Sequence, residues 1–477
     1  MSKFLFAGFD LGTTFLKVGL YNERGERLGL GRRAFAKDVD PVGRCTVPVE
    51  RFQATLLAAL CDALTAAGRT PQDITGVSYC SQANTFLLLD ERDNPLTPLI
   101  VWPDQRAAPL RDSIAKITAT DRFLQCSGQS ITVAEGMLAK LDWLRQHEPD
   151  LWRRTAKILT ISDYLAMLMT GCFIGDSGTA SLTGLWNIQQ NAWNEEIIDF
   201  LDVDPKKLPE LHRPGSFTVG TDSYGAEWLG IPEGTPFTIG ALDHHTAAIG
   251  GGVGSVAPIS VSFGTALACF RFTESYRPAK DICIGPATEP GHYYQIAFNA
   301  PGASAMDWYR DNFARDLPFE ELIRLAGNVE PGCEGLVALI ENGAIQFRDK
   351  RSIHGHGHYA RAVMELTGRN TAMLLKKLPC GDAPPATRII AVGGAARSDT
   401  WMQIVEETAG VGVTPARPAD TASKGAAMFS AVATGLYETL ETCAKRWCHA
   451  DKRTLVAIKS TSVTKNKKLR NPTRACS

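Results

Sequence analysis

The stretch "FAGFDLGTTFLKVGLY", Phe6–Tyr21, decides how the rest of the chain is read. Two apolar, strand-like runs flank an acid–glycine–hydroxyl tip. A buried hairpin gains nothing from Asp10, Gly12, Thr13 and Thr14 at its turn unless the turn holds something. Backbone N–H groups of a glycine turn converge on anions, and threonine hydroxyls add donors. Gly12 lets the chain approach a ligand with no Cβ in the way. Lys17, on the second run, can reach the same anion as a point charge. A bare carboxylate at Asp10 would repel a phosphate, and it belongs there if Mg2+ lies between them, directly or through water. The alternative reading is a plain hairpin with a polar tip.

Outward from this hairpin, 477 residues with 44% apolar and 21% charged side chains describe a core-forming protein, of roughly two to four domains by length. A net charge of −1 gives no global pull toward nucleic acid or an anionic membrane. Twelve cysteines at uneven spacing, with no CxxC pair, read as core thiols in a reducing compartment. Asp10 cuts the first apolar run short of a signal peptide, and no run approaches a membrane span. A soluble cytoplasmic protein is expected.

Strands are expected at Phe4–Phe9, Phe15–Tyr21, Ile74–Tyr79 and Thr85–Asp90, and helices at Arg51–Ala67, Glu135–His147 and Ser162–Thr170. Gly68 reads as a helix C-cap. Pro205–Pro236, rich in Pro and Gly, reads as irregular structure near a domain boundary. "PISVSFGTALACFRF", Pro258–Phe272, then repeats the opening pattern, with "SFGTA" echoing "DLGTT". Two similar halves facing each other would aim both Gly-Thr turns at one ligand. "RIIAVGGAARSDTWMQIVEETAG", Arg388–Gly410, reads as strand, glycine turn and helix, with Ser398 or Asp399 as its cap. "ADTASKGAAMFSAVATGLY", Ala419–Tyr437, reads as a helix with one small-residue face, suited to a close helix contact or a flat ligand.

"TIGALDHHTAAIGGG", Thr238–Gly252, ends an apolar strand on an acid at the start of a helix. Asp243 there can take a proton from an attacking hydroxyl, a role of general-base type. A zinc site at Asp243-His244-His245 is disfavoured because adjacent side chains diverge on a helix. His354, His356 and His358 carry strand-type alternation without an acid or Cys partner at zinc-like spacing. The tail Asp451–Ser477 holds eight basic residues and one acid, and reads as a solvated or disordered end rather than a nucleic-acid arm.

Taken in order, these motifs resemble the FGGY family of carbohydrate kinases from about Phe4 to about Tyr437. "GFDLGTTFLKVGLY" resembles the family's first phosphate hairpin. "LLLDERDNPLTPLIVWPDQRA" resembles its sugar-side segment, with the Trp-x-Asp-x-Arg pattern at Trp102, Asp104 and Arg106. "KLDWLRQH" matches the core of a family signature, although Met137 stands where Pro, Ser or Thr is usual. "ALDHHTAAIGGG" lines up with the segment of the catalytic aspartate. "SFGTA" resembles the second phosphate turn, "VGGAARSDTW" the adenosine turn, and "RAVME" the helix between them.

The resemblance implies an α/β fold of two ribonuclease-H-like domains, actin- and hexokinase-like, around a central cleft. The expected division is a sugar-binding and catalytic domain over 1–246, a nucleotide-binding domain over 247–450, and the basic tail over 451–477. It implies γ-phosphoryl transfer from ATP, with Mg2+, to a hydroxyl of a small sugar such as a pentulose or related ketose or polyol. Asp243 would be the base and Asp10 the metal residue. Thr13, Thr14, Lys17, Gly264 and Thr265 would hold phosphates, and Gly394, Ser398 and Asp399 would flank adenosine. Gln82, Asn84, Asp104, Asp243 and His244 would face the sugar. No nucleic-acid or membrane partner is expected, and a homodimer is the assembly considered. "SQANT" departs from the family: Ala83 and Asn84 replace the Met-His pair of many xylulokinases and the Arg-Glu pair of glycerol kinases. Ala338–Gly357 lacks a common Pro- and Arg-rich run. Rival readings are a sensing protein of the same fold with little turnover, and an actin-like filament or chaperone ATPase.

Overall fold

The computed structural model describes residues 3–129, 132–299, 301–341, 343–378, 386–418 and 420–448. The tail 451–477 lies outside them. Two six-stranded sheets form the centres of two lobes. In the first, the spatial order is Thr218–Gly220, Pro236–Leu242, Gly76–Ser81, Phe6–Leu11, Phe15–Tyr21, Arg27–Ala34. In the second it is Ile282–Pro286, Tyr293–Asn299, Leu267–Thr273, Ile259–Phe263, Arg388–Val392, Gly412–Pro415.

Leaving out one edge strand from each, the sheets repeat one another in order and direction. Phe6–Leu11 runs antiparallel to Phe15–Tyr21 and parallel to Gly76–Ser81. Ile259–Phe263 likewise runs antiparallel to Leu267–Thr273 and parallel to Arg388–Val392. The outer neighbours match too, with Arg27–Ala34 and Tyr293–Asn299 antiparallel, and Pro236–Leu242 and Gly412–Pro415 parallel. The Gly-Thr echo in the sequence is therefore the local mark of a duplicated fold. Every residue of Phe6–Leu11 and Gly76–Ser81 is buried. That is the continuous burial expected of strands covered on both faces.

Inserted in the first lobe is a five-stranded sheet, Asp38–Val39, Cys45–Val47, Leu99–Ile100, Phe86–Leu89 and Lys157–Thr160. The helix Met137–His147 packs Met137, Leu138, Leu141 and Leu144 against Phe86, Leu88 and Ile100 of this sheet. This insertion carries the segment around Trp102.

Two helices join the lobes by crossing. Asp243–Gly251 continues directly from the first sheet's Pro236–Leu242, yet packs on Ile259–Phe263, Leu267–Thr273 and Arg388–Val392 of the second. Thr421–Ala433 follows the second sheet's Gly412–Pro415, yet packs on Phe6–Leu11 and Gly76–Ser81 of the first. The helices meet backbone to backbone. A Cβ on Gly425 would lie 1.9 Å from the Thr246 carbonyl oxygen, and one on Gly250 would lie 2.0 Å from that of Thr421. A division of the chain at 246/247 falls inside the first crossing helix.

The helix expected from Arg51 spans Val49–Ala67 and ends at Gly68 in the left-handed region, φ 59°. Pro205–Pro236 differs from expectation. It lies within the first lobe and holds the edge strand Thr218–Gly220 and the helix Ser223–Leu229. These elements are too short to show periodicity, but their caps are readable: Asp222 accepts from the Gly225 N–H, and Gly230 ends the helix at φ 68°. The three histidines do not alternate on a strand. His356 and His358 open the helix His356–Lys377, with His354 two residues before it. Each is engaged separately: His354 Nδ1 accepts from Arg351 N–H, His356 Nδ1 meets the Tyr309 hydroxyl, and His358 Nδ1 accepts from Gly355 N–H. The ten cysteines among the described residues are all free thiols. No described helix is long and apolar enough to cross a membrane.

The crossing contact makes a stability prediction. Gly425→Ala must displace a helix backbone, so it should cost at least the ~1–3 kcal/mol of an overpacked core. Gly394→Ala, whose Cβ meets nothing within 4 Å, should stay within about 0.5 kcal/mol of the parent. Chemical denaturation of both variants tests this; equal midpoints would contradict the tight contact.

Candidate active site

The cavity between the lobes measures about 320 Å3. Its first-lobe wall is the opening hairpin, with Asp10, Gly12, Thr13, Thr14 and Lys17. Asp243 and His244 enter from the start of the first crossing helix. Gly264, Thr265 and Gly393 come from the second lobe, and Asp420 and Thr421 from the start of the second crossing helix. Residues from five separate stretches thus share one cavity, and both Gly-Thr turns are in it.

Strand register explains the first charge pair. Asp10 and Lys17 are directly opposed across the hairpin, and Lys17 Nζ lies 2.9 Å from Asp10 Oδ2. The Asp10 charge holds the Lys17 pKa above its usual value, against burial. Lys17 also lies 3.9 Å from Asp420 Oδ1, and Asp420 Oδ2 accepts from Arg27 at 2.9 Å. Asp243 is the first helical residue after its strand, and its Oδ1 accepts from the His244 N–H at 2.6 Å. Burial pushes the Asp243 carboxyl upward; His244 pulls it down and the Asp10 charge pushes it up further. His244 stays half-buried with its ring edge-on to Phe298, while His245 is fully buried among Phe270, Phe272 and Tyr294. Burial takes His245 down to about pH 3, and the two rings diverge as adjacent helix positions do. No group of three metal-ligating side chains occurs among the described residues.

Several expected residues sit differently from their expectation. The Thr13 hydroxyl donates to Gln82 Oε1 (3.1 Å) and accepts from the Trp102 indole N–H (2.7 Å). Its one proton is spent, so only the backbone of Thr13 remains to donate to an anion. Gln82 is buried with its Oε1 taken by Thr13 and Thr85. Asn84 stands at φ 63°, with its Oδ1 accepting from the N–H of Met137, the residue that departs from the family signature. Asp104 does not face the cleft. It is fully buried, and its oxygens accept four hydrogen bonds, from Cys45 N–H and from Arg106 N–H, Nε and guanidinium. Burial pushes its carboxyl upward, but Arg106 and Cys45 together hold it below the ordinary value. Asp104 therefore pins the Trp102 loop to the strand Cys45–Val47.

In the second lobe, Ser398 caps the helix Asp399–Ala409 by accepting from the Trp401 N–H, and Asp399 pairs with Arg417 at 2.8 Å. Gly393, rather than Gly394, lines the cavity. At φ 92°, its Cβ would meet the Phe263 carbonyl at 3.0 Å, so glycine here lets the adenosine-type turn lie against the second Gly-Thr turn. The signal for Gly393 was its place directly after the strand end. Asp420 was missed as well. Its signal was an acid immediately before a helix start, a position where carboxylates favour the helix N-terminus.

Comparison with known proteins agrees with this geometry. The N-terminal-domain model of the FGGY family of carbohydrate kinases matches residues 5–250, and the C-terminal-domain model matches residues 259–434. Xylulose kinase of Lactococcus lactis subsp. lactis (strain IL1403) is 26% identical over 461 residues, covering 93% of this chain and 90% of that one. Gluconokinase of Bacillus licheniformis is 25% identical over 464 residues, covering 91% and 88%. The ligand-bound xylulose kinase structure from Lactobacillus acidophilus superposes with a TM-score of 0.84 at 20% identity, covering 97% of both chains. A duplicated two-lobed fold, matched half by half, makes this chain a member of the FGGY family of carbohydrate kinases.

Proposed function

We propose that the chain transfers the γ-phosphoryl group of MgATP to a hydroxyl of a small sugar, a pentulose or related ketose or polyol, with Asp243 as general base. The observation that carries this reading is the shared cavity of Asp243 and both Gly-Thr turns. Backbone N–H groups at Gly12–Thr14 and Gly264–Thr265 and the Lys17 ammonium hold the phosphates. The N-termini of both crossing helices add partial positive charge. The acceptor oxygen gives its proton to Asp243 and forms a bond to the γ-phosphorus. The bond from that phosphorus to the bridging oxygen breaks, and ADP leaves with the electron pair. Asp243 Oδ1 already accepts from the His244 N–H, which leaves Oδ2 the freer oxygen to take the proton. Catalysis of this kind is mainly positioning and charge stabilisation.

The residues fit a magnesium ion held partly by substrate. Asp10, Asp243 and Asp420 bring three carboxylates into the cavity; Asp420 is met by Arg27 and Arg397, and Asp10 shares Lys17 with Asp420. Asp10 is the residue to hold the ion, and phosphate oxygens and water would complete its shell, as is usual for Mg2+. Bound there, the ion would neutralise charge on the phosphates.

Relatives named xylulose kinase and gluconokinase support a small polyhydroxy acceptor. Asn84, where many xylulokinases carry the Met-His pair, keeps its side-chain N–H donors to offer while its Oδ1 accepts from the Met137 N–H. Asp10 and Asp243, together in one cleft, favour turnover over a sensing role. The acceptor is to be found by measuring ADP release with a panel of pentuloses, hexuloses, polyols and sugar acids.

Asp243→Asn should bind ATP within a few-fold of the parent, by calorimetry, while turnover falls by about 10²–10⁴. Near-parental turnover would remove Asp243 from the role. The acid limb of kcat/KM should lie above the ordinary carboxylate range, because a base works only deprotonated and burial raises this carboxyl. Asp10→Asn removes a like charge and should lower the Asp243 titration midpoint in carboxyl 13C spectra. An unchanged or higher midpoint would show that Asp10 does not act on it.

A further inference from the structure

Four hydrogen bonds close a ring at the seam between the phosphate turn and the Trp102 loop. The hydroxyls of Thr13 and Thr85 both lie 3.1 Å from Gln82 Oε1. Trp102 reaches the same two threonines, with its indole N–H 2.7 Å from Thr13 Oγ1 and its backbone N–H 3.0 Å from Thr85 Oγ1. An N–H can only donate, so both threonine oxygens accept from Trp102; with the Gln82 carboxamide oxygen turned toward the threonines, as it stands here, both hydroxyl protons go to Gln82.

The ring is braced from behind. Lys140, fully buried, donates to the carbonyls of Asn84 (3.0 Å), Val101 (3.3 Å) and Trp102 (3.3 Å). Lys37 donates to the Thr13 carbonyl at 3.2 Å. Thr85 and Gln82 are buried, whereas Trp102 keeps 41% of its surface exposed. The partly exposed indole is thus bonded through its N–H to the hairpin turn, and Thr13 Oγ1 is the atom that joins the two segments.

We propose that Thr13 is a positioning residue: its hydrogen bond to the Trp102 indole ties occupancy of the acceptor site to the geometry of the phosphate turn. This rests on the kinase reading above and takes Trp102, exposed on the segment that resembles the family's sugar side, as part of the acceptor site. A hydroxyl whose only proton is spent inside the protein brings no donor to a phosphate, so the side chain acts through Trp102 and Gln82. Linkage makes the effect reciprocal: an acceptor that tightens ADP binding must itself be tightened by ADP to the same factor.

The quantity to measure is the ratio of ADP dissociation constants without and with saturating acceptor, by calorimetry on the full chain, using the best sugar of the panel. The parent should show a ratio of about 5–150, the usual range of site–site coupling. Thr13→Val and Trp102→Phe should each bring it to within about twofold of one. The double variant should be no worse than either single one, since both remove one bond. Thr13→Ser, which keeps the hydroxyl, should retain the parental ratio. Trp102→Phe tests the bond from its other end should Thr13→Val fold poorly. A side chain that simply binds phosphate would instead weaken ADP alone in Thr13→Val and leave the ratio in Trp102→Phe untouched, which overturns the proposal. A parent ratio of one, or a parental ratio in both single variants while sugar is still phosphorylated, overturns the coupling by itself. A parent that phosphorylates no sugar overturns the kinase reading and the coupling with it.

Discussion

The approach of two helix backbones governs this molecule. Gly250 and Gly425 remove the side chains that would hold the crossing helices apart, and Gly8 does the same between the strand Phe6–Leu11 and the second helix, where a Cβ would sit 1.8 Å from the Ser423 carbonyl oxygen. Each helix belongs by sequence to one lobe and by packing to the other. The lobes are thus fastened at the helix pair, and both helix N-termini open into the same cavity. One packing solution supplies the join between the lobes, a positive electrostatic end on each side, and fixed places for Asp243 and Asp420.

Charge in the cleft follows from that arrangement. Lys17 of the first lobe lies between Asp10 of its own hairpin and Asp420 of the other lobe, and Asp420 also draws in Arg27 from the first lobe and Arg397 from the second. The Asp420 side chain is only 12% exposed. Partly buried pairs of this kind are costly to break because the remaining charge loses its compensation. Ion pairs across the seam therefore constrain how the lobes sit as well as what they attract. Asp243 feels this network through the charges of Asp10 and Lys17. Its carboxylate is held by its own helix N–H, and burial keeps its proton affinity high.

Much of the site could be read locally. Asp10 and Lys17 are seven residues apart on a hairpin, so strand geometry alone opposes them. Asp243 is the junction of an apolar strand and a small-residue helix, and Ser398 caps its helix as its position suggests. The duplicated Gly-Thr turns foretold a duplicated sheet. Other residues could not be read that way. Asp104 has the composition of a ligand residue, yet its oxygens belong to Cys45 and Arg106. The Thr13 hydroxyl has the composition of a phosphate donor, yet its proton belongs to Gln82. Asp420 was hidden inside what reads as a small-residue helix, and Pro205–Pro236 was hidden by elements of three to seven residues.

The difference is one of range. Strand alternation, helix caps, glycine turns and an acid at a strand end are set by residues within a few positions of one another, and the sequence alone determined those. The partners of Thr13 are 69 and 89 residues away, and Cys45, one of two backbone partners of Asp104, is 59 away. Such pairings depend on how sheets and helices stack, and a buried polar group takes whichever partner packing presents. Tertiary structure alone decided which side chains remained free for a ligand, because each hydroxyl has one proton and each carboxylate oxygen two lone pairs to give.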